Sequence, residues 1–323
     1  MNVILKALCA IGIALASQLV AAQAYPSKPV RIIVNYPPGG PTDLVARMVG
    51  AKIGEILGQS FVIENQPGAN GAIGTLNAAR SAPDGYTLLF GTSGHTSIVA
   101  ALYAERLPFD PFRDITPISL LVNSTQVIVA HPTLNVKTIA DLVKLAKAKP
   151  GQLNYGSVGI GSGNHLGIEL LKSMAGIDMV HIPYKGTAQV MQDLLAGRVQ
   201  LMLNSTATVV PAIKSGKLVA LAVGSTARSA AIPDVPTMIE AGFPGYDVST
   251  WYALFAPAKT PAAIIDRLNL AINQALLDPQ LAKTLASQGA DPAGSTPEFV
   301  AKLMRDEYER WRKVIAEAKI VAE

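Results

Sequence analysis

Residues 30–49 read VRIIVNYPPGGPTDLVARMV, a strand, a stiff loop and the start of a helix. The apolar, β-branched run at 30–34 is typical of a strand that is covered on both faces. Gly39 and Gly40 permit backbone geometry that a side chain would forbid, and Pro41 suits the first turn of a helix, whose N–H groups lack partners. These free N–H groups and the helix dipole predict a site where backbone holds a small anion.

The first 24 residues have the features of a secretory signal peptide. Lys6 supplies a positive charge, residues 7–20 are almost continuously apolar, and Ala22-Gln23-Ala24 has the small-x-small pattern of a cleavage site. A membrane anchor is the alternative, but the apolar run falls short of the roughly 20 residues that span a bilayer. We therefore expect an exported protein whose mature chain begins at Tyr25.

The composition excludes several classes of site. Cys9, the only cysteine of the sequence, lies inside the apolar N-terminal run, so the mature chain would have no disulfide, thiol nucleophile or cysteine metal site. The sequence has 27 Lys and Arg residues and 23 Asp and Glu residues, and the basic residues form no run. This pattern gives no indication of nucleic-acid binding. The four histidines are dispersed and no phosphate-binding glycine motif occurs, so we expect no metal or cofactor.

Strand-like runs alternate with helix-length amphipathic segments along the mature chain, which predicts an α/β fold. An extended stretch at 118–130 ends the first series of strands and helices, and a second series follows it. A linker rich in proline and glycine at 233–245 then leads to one more strand at 251–256 and to two long helices, near 261–277 and 297–317.

One strand and two helices are too little for a separate domain, so we expect this last segment to return to the first lobe. The expected organisation is a signal peptide at 1–24, a discontinuous first lobe at 25–124 and 246–323, and an inserted second lobe at 125–245. Two crossings between lobes are the usual geometry of a hinged clamp around a ligand. A tandem of two domains would fit the same pattern.

Three loops lie between a strand and the following helix, at 37–43, 156–164 and 184–187. In open α/β sheets such loops stand at the carboxyl ends of strands, where ligands bind. Neutral hydrogen-bonding side chains occur at or near these loops: Thr42, Ser157, Ser162, Asn164, Thr187 and Asn204. Each of them could be only a helix cap or a turn residue, but convergence of three loops favours a binding site.

Two charged side chains in these loops have alternative interpretations. Asp43 could be catalytic, although its place near a helix N-terminus fits capping or an interaction with the helix dipole better. Lys185, together with Tyr184, could reach a carboxylate of a ligand or could simply be solvated. The sequence leaves this second choice open.

The sequence lacks a recognisable nucleophile motif. Gly91-Thr92-Ser93-Gly94-His95 misses the Gly-x-Ser-x-Gly elbow of hydrolases because His95 occupies the last glycine position. An exported serine hydrolase that uses Ser93 or Ser162 would need a histidine within hydrogen-bond reach and an adjacent oxyanion hole. We expect a binding protein rather than an enzyme, with the hydrolase as the alternative.

Six short motifs, in this order, carry a family resemblance: Pro37-Pro38-Gly39-Gly40-Pro41-Thr42-Asp43, Glu64-Asn65-Gln66-Pro67-Gly68-Ala69-Asn70-Gly71, Pro83-Asp84-Gly85-Tyr86-Thr87, Pro183-Tyr184-Lys185-Gly186, Pro233-Asp234-Val235-Pro236-Thr237 and Trp251-Tyr252. The series resembles the Bug (TctC-like) receptors, the periplasmic solute receptors of tripartite tricarboxylate transporters, over nearly the whole mature chain. The resemblance implies a two-lobed α/β periplasmic-binding-protein (type II-like) fold with a hinge and a ligand cleft between the lobes.

The resemblance also implies a function. The protein would be a periplasmic receptor that closes on a small carboxylate: a di- or tricarboxylate, an acidic amino acid or an aromatic carboxylate. Its partners would be membrane transporter subunits, and it would be a monomer without a cofactor.

Ligand-binding residues follow from the resemblance as well. One carboxylate would be held by backbone groups and ordered water at the first loop, which comprises Tyr36, Pro38, Gly39, Gly40, Pro41, Thr42 and Asp43. The far end of the ligand would meet Thr92, Ser93, Ser157, Ser162, His165, Tyr184 and Lys185. Asn204 departs from the family pattern, in which an aspartate is common. We expect this neutral amide to remove a repulsive charge from the cleft.

Overall fold

A computed structural model describes residues 25–68, 71–103 and 106–321, so the predicted signal peptide at 1–24 lies outside the described residues. The described residues form ten strands: β1 (Val30–Val34), β2 (Phe61–Asn65), β3 (Thr87–Thr92), β4 (Ile115–Ala130), β5 (Asn154–Ser157), β6 (Val180–Pro183), β7 (Leu201–Ser205), β8 (Val219–Val223), β9 (Ser249–Pro257) and β10 (Asp291–Pro292).

The same residues form ten α-helices: α1 (Pro41–Leu57), α2 (Ala72–Ala79), α3 (Val99–Tyr103), α4 (Ile139–Ala148), α5 (Gly163–Ala175), α6 (Thr187–Leu195), α7 (Thr206–Lys214), α8 (Ala262–Leu276), α9 (Pro279–Ser287) and α10 (Pro297–Glu317). A π-helical turn, Gly94–Ile98, runs directly into α3, and a 3-10 turn, Pro132–Leu134, follows β4. The α/β fold that the sequence predicts is confirmed.

The strands form one mixed sheet in the order β2-β1-β3-β9-β4-β7-β5-β6, and β8 and β10 also pair with β4. Neighbours within β1–β3 are parallel, as are β5, β6 and β7. The 16-residue strand β4 joins the two groups, because its first part pairs with β9 and its last part pairs with β7 and β8. We call β1–β3, β9 and the first part of β4 the first strand set, and β5–β8 with the end of β4 the second.

Each strand set has its own buried core. Ile32, Val45 and Leu268 belong to a cluster that packs α1 and α8 against the first set, while Ile128 and Leu166 belong to one that packs α5 against the second. Burial of apolar side chains on both sides of each strand set supplies the main driving force for folding.

The C-terminal helix α10 reaches both cores. Val300 and Met304, near its start, pack with Trp251 of the first set. Trp311 and Val314, about two to three turns further on, are buried in the core of the second set. Helix α10 therefore lies where the two strand sets meet.

Gly224, which follows β8, forms hydrogen bonds with both segments that connect the strand sets, β4 and the residues before β9. The Gly224 N–H donates to Gln126 O at 2.7 Å, and the Val248 N–H donates to Gly224 O at 2.8 Å. A Cβ on Gly224 would lie 2.5 Å from Val248 O, so this close approach requires glycine. The chain enters the second set along β4 at this point and returns to the first set along β9.

Local sequence chemistry places the first helix. Gly40 is the N-cap of α1 with extended backbone, Pro41 is the first helical residue, and Gly39 adopts a left-handed φ of 82° that favours glycine. The helix ends at Gly58, whose φ of 70° is the left-handed conformation common at helix C-termini. Both ends are thus fixed by the residues that the sequence offers there.

Candidate functional site

A cavity of about 620 Å³ lies between the two strand sets, beside the β4 and β9 crossings. The first set contributes Tyr36 and the segment after β3, and the second contributes the loop after β5. Gln126 of β4 and Thr250 of β9 line the cavity from the crossings. Residues from all three strand-to-helix loops that the sequence singles out therefore reach one cavity.

Four helices begin at this cavity. Pro41 of α1, Gly163 of α5 and Thr187 of α6 line it with their first residues, and Ser205, the N-cap of α7, lines it too. Within the described part of the chain, no side chain caps the first turn of α1, α6 or α7. The free N–H groups and the aligned dipoles of these turns give the cavity a positive potential without a charged side chain.

Asp43 does not line the cavity but holds the first loop together. It is 2 % exposed, its Oδ2 accepts from the Gly39 N–H at 2.9 Å and from Arg47 Nε at 3.0 Å, and its Oδ1 accepts from Asn65 Nδ2 at 2.9 Å. Burial opposes ionisation of the carboxyl group, but the hydrogen bonds from Arg47, Gly39 and Asn65 outweigh it and hold its pKa below 3.8. Asp43 thus fixes the shape of the loop in its ionised form.

A chain of hydroxyl and imidazole groups forms the polar wall of the first strand set. Tyr36 OH lies 3.2 Å from Thr92 Oγ1, which lies 3.1 Å from His95 Nδ1. Burial lowers the pKa of His95 to about 4, so the imidazole is neutral at pH 7. Burial raises the pKa of Tyr36 well above its usual range. This wall therefore presents uncharged donors and acceptors, with Ser93 beside them.

The glycine-rich loop after β5 is supported from behind by two histidines. The Gly161 N–H donates to His165 Nδ1 at 3.0 Å, and Ser157 Oγ lies 2.6 Å from His181 Nε2. The two imidazole rings stack with centroids 3.8 Å apart. Burial lowers the pKa of both histidines to about 4, so both are neutral at pH 7. Ser157 and His165 thus position the loop, and neither lines the cavity.

Contacts across the cavity bring the strand sets together. A Cβ on Gly161 would lie 2.2 Å from Leu102 Cδ2 of α3, and a Cβ on Gly163 would lie 3.7 Å from Ile98 Cδ1. Gly161 also has a φ of 74°, which favours glycine. The loop of the second set therefore packs tightly on the helix of the first.

The cavity takes in only part of the set of ligand-binding residues expected from the sequence. Seven of them line it: Tyr36, Pro41, Thr42, Thr92, Ser93, Ser162 and Asn204. The others stand outside the lining: Pro38, Gly39, Gly40, Asp43, Ser157, His165, Tyr184 and Lys185.

Tyr184 and Lys185 do not line the cavity. Tyr184 OH donates to Asp193 Oδ2 at 2.8 Å, and Asp193 also pairs with Arg198. Lys185 is exposed. These side chains form part of the surface next to the start of α6.

Several lining residues were not among those expected. They come from the segment after β3, from the crossings, from the end of β7 and from the C-terminal helix: His95, Ile98, Leu102, Gln126, Ser205, Thr250, Tyr252 and Trp311. Tyr252 lies on β9 at the crossing, and its hydroxyl bonds to Thr42 in the first turn of α1. The sequence offered a signal for the first of these segments, since it directly follows a strand.

Neither serine of the hydrolase alternative is paired with an imidazole in the described contacts. Ser162 Oγ donates to Gly159 O at 2.7 Å and accepts from the backbone N–H of His165 at 3.3 Å. The imidazole of His95, two residues from Ser93, lies against Thr92.

Charge and metal ligands are also sparse at the site. Among the described residues that line the cavity there is no Asp, Glu, Lys or Arg. The searched residues, 25–68, 71–103 and 106–321, contain no group of three or more His, Cys, Asp or Glu side chains placed to hold a metal ion. None of the helices described in this chain is long and apolar enough to cross a membrane.

Known proteins resemble this chain over most of its length. The periplasmic binding protein BugD is 34 % identical and superposes with a TM-score of 0.77, covering 93 % of this chain and 100 % of its own. Rpa4515 of R. palustris, solved with adipate, is 34 % identical with a TM-score of 0.80, covering 92 % and 99 %. MatC from Rhodopseudomonas palustris, solved with bound malate, is 33 % identical with a TM-score of 0.76, covering 90 % and 100 %.

These likenesses confirm the periplasmic-binding-protein fold expected from the sequence. Residues 45–320 match the TctC family, described as "Tripartite tricarboxylate transporter family receptor". The chain therefore belongs to the TctC family of transporter receptors, and its resemblance to the Bug proteins is confirmed.

Proposed function

We propose that this protein is a periplasmic receptor that binds a small carboxylate in the cavity and catalyses no reaction on it. The observation that carries the proposal is the convergence of four helix N-termini on a cavity whose described lining is uncharged. Backbone N–H groups in this arrangement stabilise a carboxylate through charge-assisted hydrogen bonds. The adipate of Rpa4515 and the malate of MatC support a carboxylate as the ligand.

Binding would be coupled to closure of two lobes, residues 25–124 with 246–323 and residues 125–245, around a hinge at the β4 and β9 crossings. The contact of Gly161 with Leu102 fits a closed clamp, since one residue comes from each proposed lobe and both line the cavity. A ligand that touches both lobes binds the closed form better and shifts the population toward it. The closed receptor, a monomer, would then deliver its ligand to membrane subunits of a tripartite tricarboxylate-type transporter.

Export through the N-terminal segment completes the proposal. Residues 1–24 would act as a signal peptide that is removed in the periplasm. N-terminal sequencing of the protein recovered from the periplasmic fraction should begin at Tyr25. A chain that retains Met1 and stays with the cytoplasm would contradict this step.

A thermal-shift screen tests the binding function. Purified protein, stripped of ligand, is heated with small mono-, di- and tricarboxylates and with their uncharged amides. A ligand at about 100 times its dissociation constant stabilises the protein by roughly 2.7 kcal/mol, which raises the melting temperature by several degrees. We expect shifts from carboxylates and none from the matching amides. Shifts from neutral solutes alone would contradict the proposal.

A further inference from the structure

The cavity holds no fixed negative charge on its described lining residues, and its fixed dipoles are positive. Its polar groups are hydroxyls, side-chain amides, backbone groups and the neutral imidazole of His95. The helices that begin at Pro41, Gly163, Thr187 and Thr206 all direct their N-terminal ends toward this space. The cavity therefore favours anionic groups and disfavours cationic ones.

Asn204 stands at the end of β7 with its amide only partly satisfied. Its side chain lines the cavity and the residue is 5 % exposed. Oδ1 accepts from the Ser205 N–H at 2.8 Å, while Nδ2 has only Met202 Sδ as a partner, at 3.6 Å. A thioether sulfur is a weak acceptor, so the amide retains donor capacity for a group that enters the cavity.

An ammonium group would be poorly matched to these surroundings. It carries three N–H donors and a full positive charge, and burying it without an anionic partner is costly. Among the described lining residues it would find no carboxylate, and the nearest helix ends would repel it. Asn204 would present it with the free N–H donor of its amide, because its oxygen already accepts from the Ser205 N–H and carries no charge.

The rest of the cavity wall suits hydrocarbon. Ile98 and Leu102 line it from the first strand set, and Val158 and Ile160 line it from the loop after β5. Trp311 of α10 adds an aromatic surface. Contact with these side chains would remove apolar surface of a ligand from water, which favours binding.

We infer that the ligand is a carboxylate with a hydrocarbon body and no amino group, and that Asn204 is the residue that disfavours amino acids. This inference rests on the proposed function, since it narrows the class of carboxylate. An aspartate at position 204 would give an ammonium group its missing partner and would repel a carboxylate.

Two matched pairs of probes test the inference. Adipate is compared with 2-aminoadipate, and 3-phenylpropanoate with phenylalanine, by calorimetric titration of the purified protein. Within any pair that shows binding, we expect the acid to bind at least tenfold more tightly than its amino analogue. Asn204→Asp should weaken binding of the acid at least tenfold. The preference for the acid over its amino analogue, measured as the ratio of their dissociation constants, should become smaller or reverse.

Two control variants distinguish the effect of a negative charge in the cavity from a loss of binding caused by misfolding. Asn77→Asp makes the same substitution on the exposed face of α2 and should leave both affinities within about twofold, because exposed charges are screened. If Asn204→Asp does not fold, Ser205→Asp places the carboxylate at an N-cap, where aspartate is favoured, and should act in the same direction.

The outcomes distinguish the inference from the function. Carboxylates that bind no better than their amino analogues would overturn the inference and leave the receptor function intact. If Asn204→Asp leaves the ratio of the two dissociation constants, acid against amino analogue, unchanged, the role of Asn204 is overturned. If none of the carboxylates in the probe pairs or in the thermal screen binds, the proposed function fails, and the inference fails with it.

Discussion

At the scale of single residues, Asp43 shows how a side chain outside the cavity can shape it. It lies in the first turn of α1, as expected from the sequence, but its carboxylate faces back toward the loop. Gly39, Arg47 and Asn65 all donate to it. The loop at the start of α1 therefore depends on one buried, ionised carboxylate.

Replacing Asp43 with asparagine should destabilise the protein by about 1–3 kcal/mol, because an amide cannot accept all of these hydrogen bonds. Carboxylate binding should weaken with it, because the first turn of α1 loses its fixed geometry. Urea unfolding at pH 7 and calorimetric titration measure the two effects. Asp306→Asn, which alters an exposed ion pair with Lys302, is the control and should cost under about 1 kcal/mol.

The effect of Asp43 should depend on pH in a defined direction. Its pKa in the folded protein is lowered from 3.8, so its contribution is complete above that value. The contribution is lost as the pH falls through the lower folded pKa. The stability difference between the wild type and Asp43→Asn should therefore be constant near neutral pH and shrink in strong acid. A difference that grows on acidification would contradict this role.

At the scale of elements, the two stacked histidines link β6, α5 and the glycine-rich loop. His165 accepts from the Gly161 N–H through Nδ1, which requires an imidazole that is neutral at that atom. His181 stacks on it and bonds to Ser157 at the end of β5. Protonation of either ring would bring a charge into this buried stack.

His165→Gln should reduce the pH dependence of stability. Burial lowers the pKa of His165 from 6.5 to about 4, so between these values the unfolded chain binds a proton that the folded protein does not. Unfolding free energy should therefore fall as the pH drops from 6.5 toward 4, by up to about 1.4 kcal/mol per pH unit for each such histidine. Urea unfolding across this range should show a smaller slope in the variant.

One buried carboxyl group acts in the opposite direction. Burial raises the pKa of Glu307 from 4.5 to about 7, so its contribution to stability falls as the pH rises through this range. The comparison of His165→Gln with the wild type removes this common contribution. Identical slopes in the two proteins would show that His165 is not buried in the neutral form.

The elements that the sequence predicts best are those with a clear apolar period and clear end signals. β1 and the start of α1 at Pro41 follow the expected residues closely. The start of α4 has an equally local signal, because Thr138 and Asp141 form a capping box there. Local chemistry decides these boundaries, so local sequence suffices.

Other elements depend on packing that no local pattern reveals. The extended stretch at 118–130 is part of the longer strand β4, whose pairing with β9 shifts register near Pro117 and Leu120, and the sequence gives no sign of these shifts. The π-helical turn Gly94–Ile98 has polar residues without an apolar period, yet it is buried at the cavity. Helix α7 contains Pro211, which hides its helical character in the sequence.

The candidate site also combines features that local sequence can predict with features that depend on long-range packing. The glycine and proline residues after β1 indicate a backbone anion site, because their conformational roles can be recognised in sequence. Trp311 of α10 also lines the cavity, although it lies more than 200 residues after the loop that follows β1. Its position follows from long-range packing of α10 against the second core, which one sequence without a fold does not reveal.

At the scale of the whole molecule, the proposed closure of the two lobes predicts that the contact between Gly161 and Leu102 limits how far they can close. Gly161→Ala would place a methyl group 2.2 Å from Leu102 Cδ2, closer than real Cβ contacts. We therefore expect at least tenfold weaker carboxylate binding. Small-angle scattering should show less compaction on addition of ligand than in the wild type.

Two variants separate the clash from backbone strain in this prediction. Gly216→Ala has a similar φ of 72° with nothing within 4 Å of the added Cβ, so it should cost about 1–2 kcal/mol of stability without affecting binding. Leu102→Ala combined with Gly161→Ala should recover part of the affinity, because the clashing side chain is gone. Equal binding losses in Gly161→Ala and Gly216→Ala would refute a closure contact.

The most direct test of the central claim is calorimetric titration of the ligand-free protein with adipate and with its uncharged diamide, adipamide. The helix N-termini at the cavity predict binding of one adipate per protein and at least 100-fold weaker binding of the diamide, since only the acid carries charge for these dipoles to stabilise. If the diamide binds as tightly as the acid, recognition of a carboxylate by helix N-termini is contradicted.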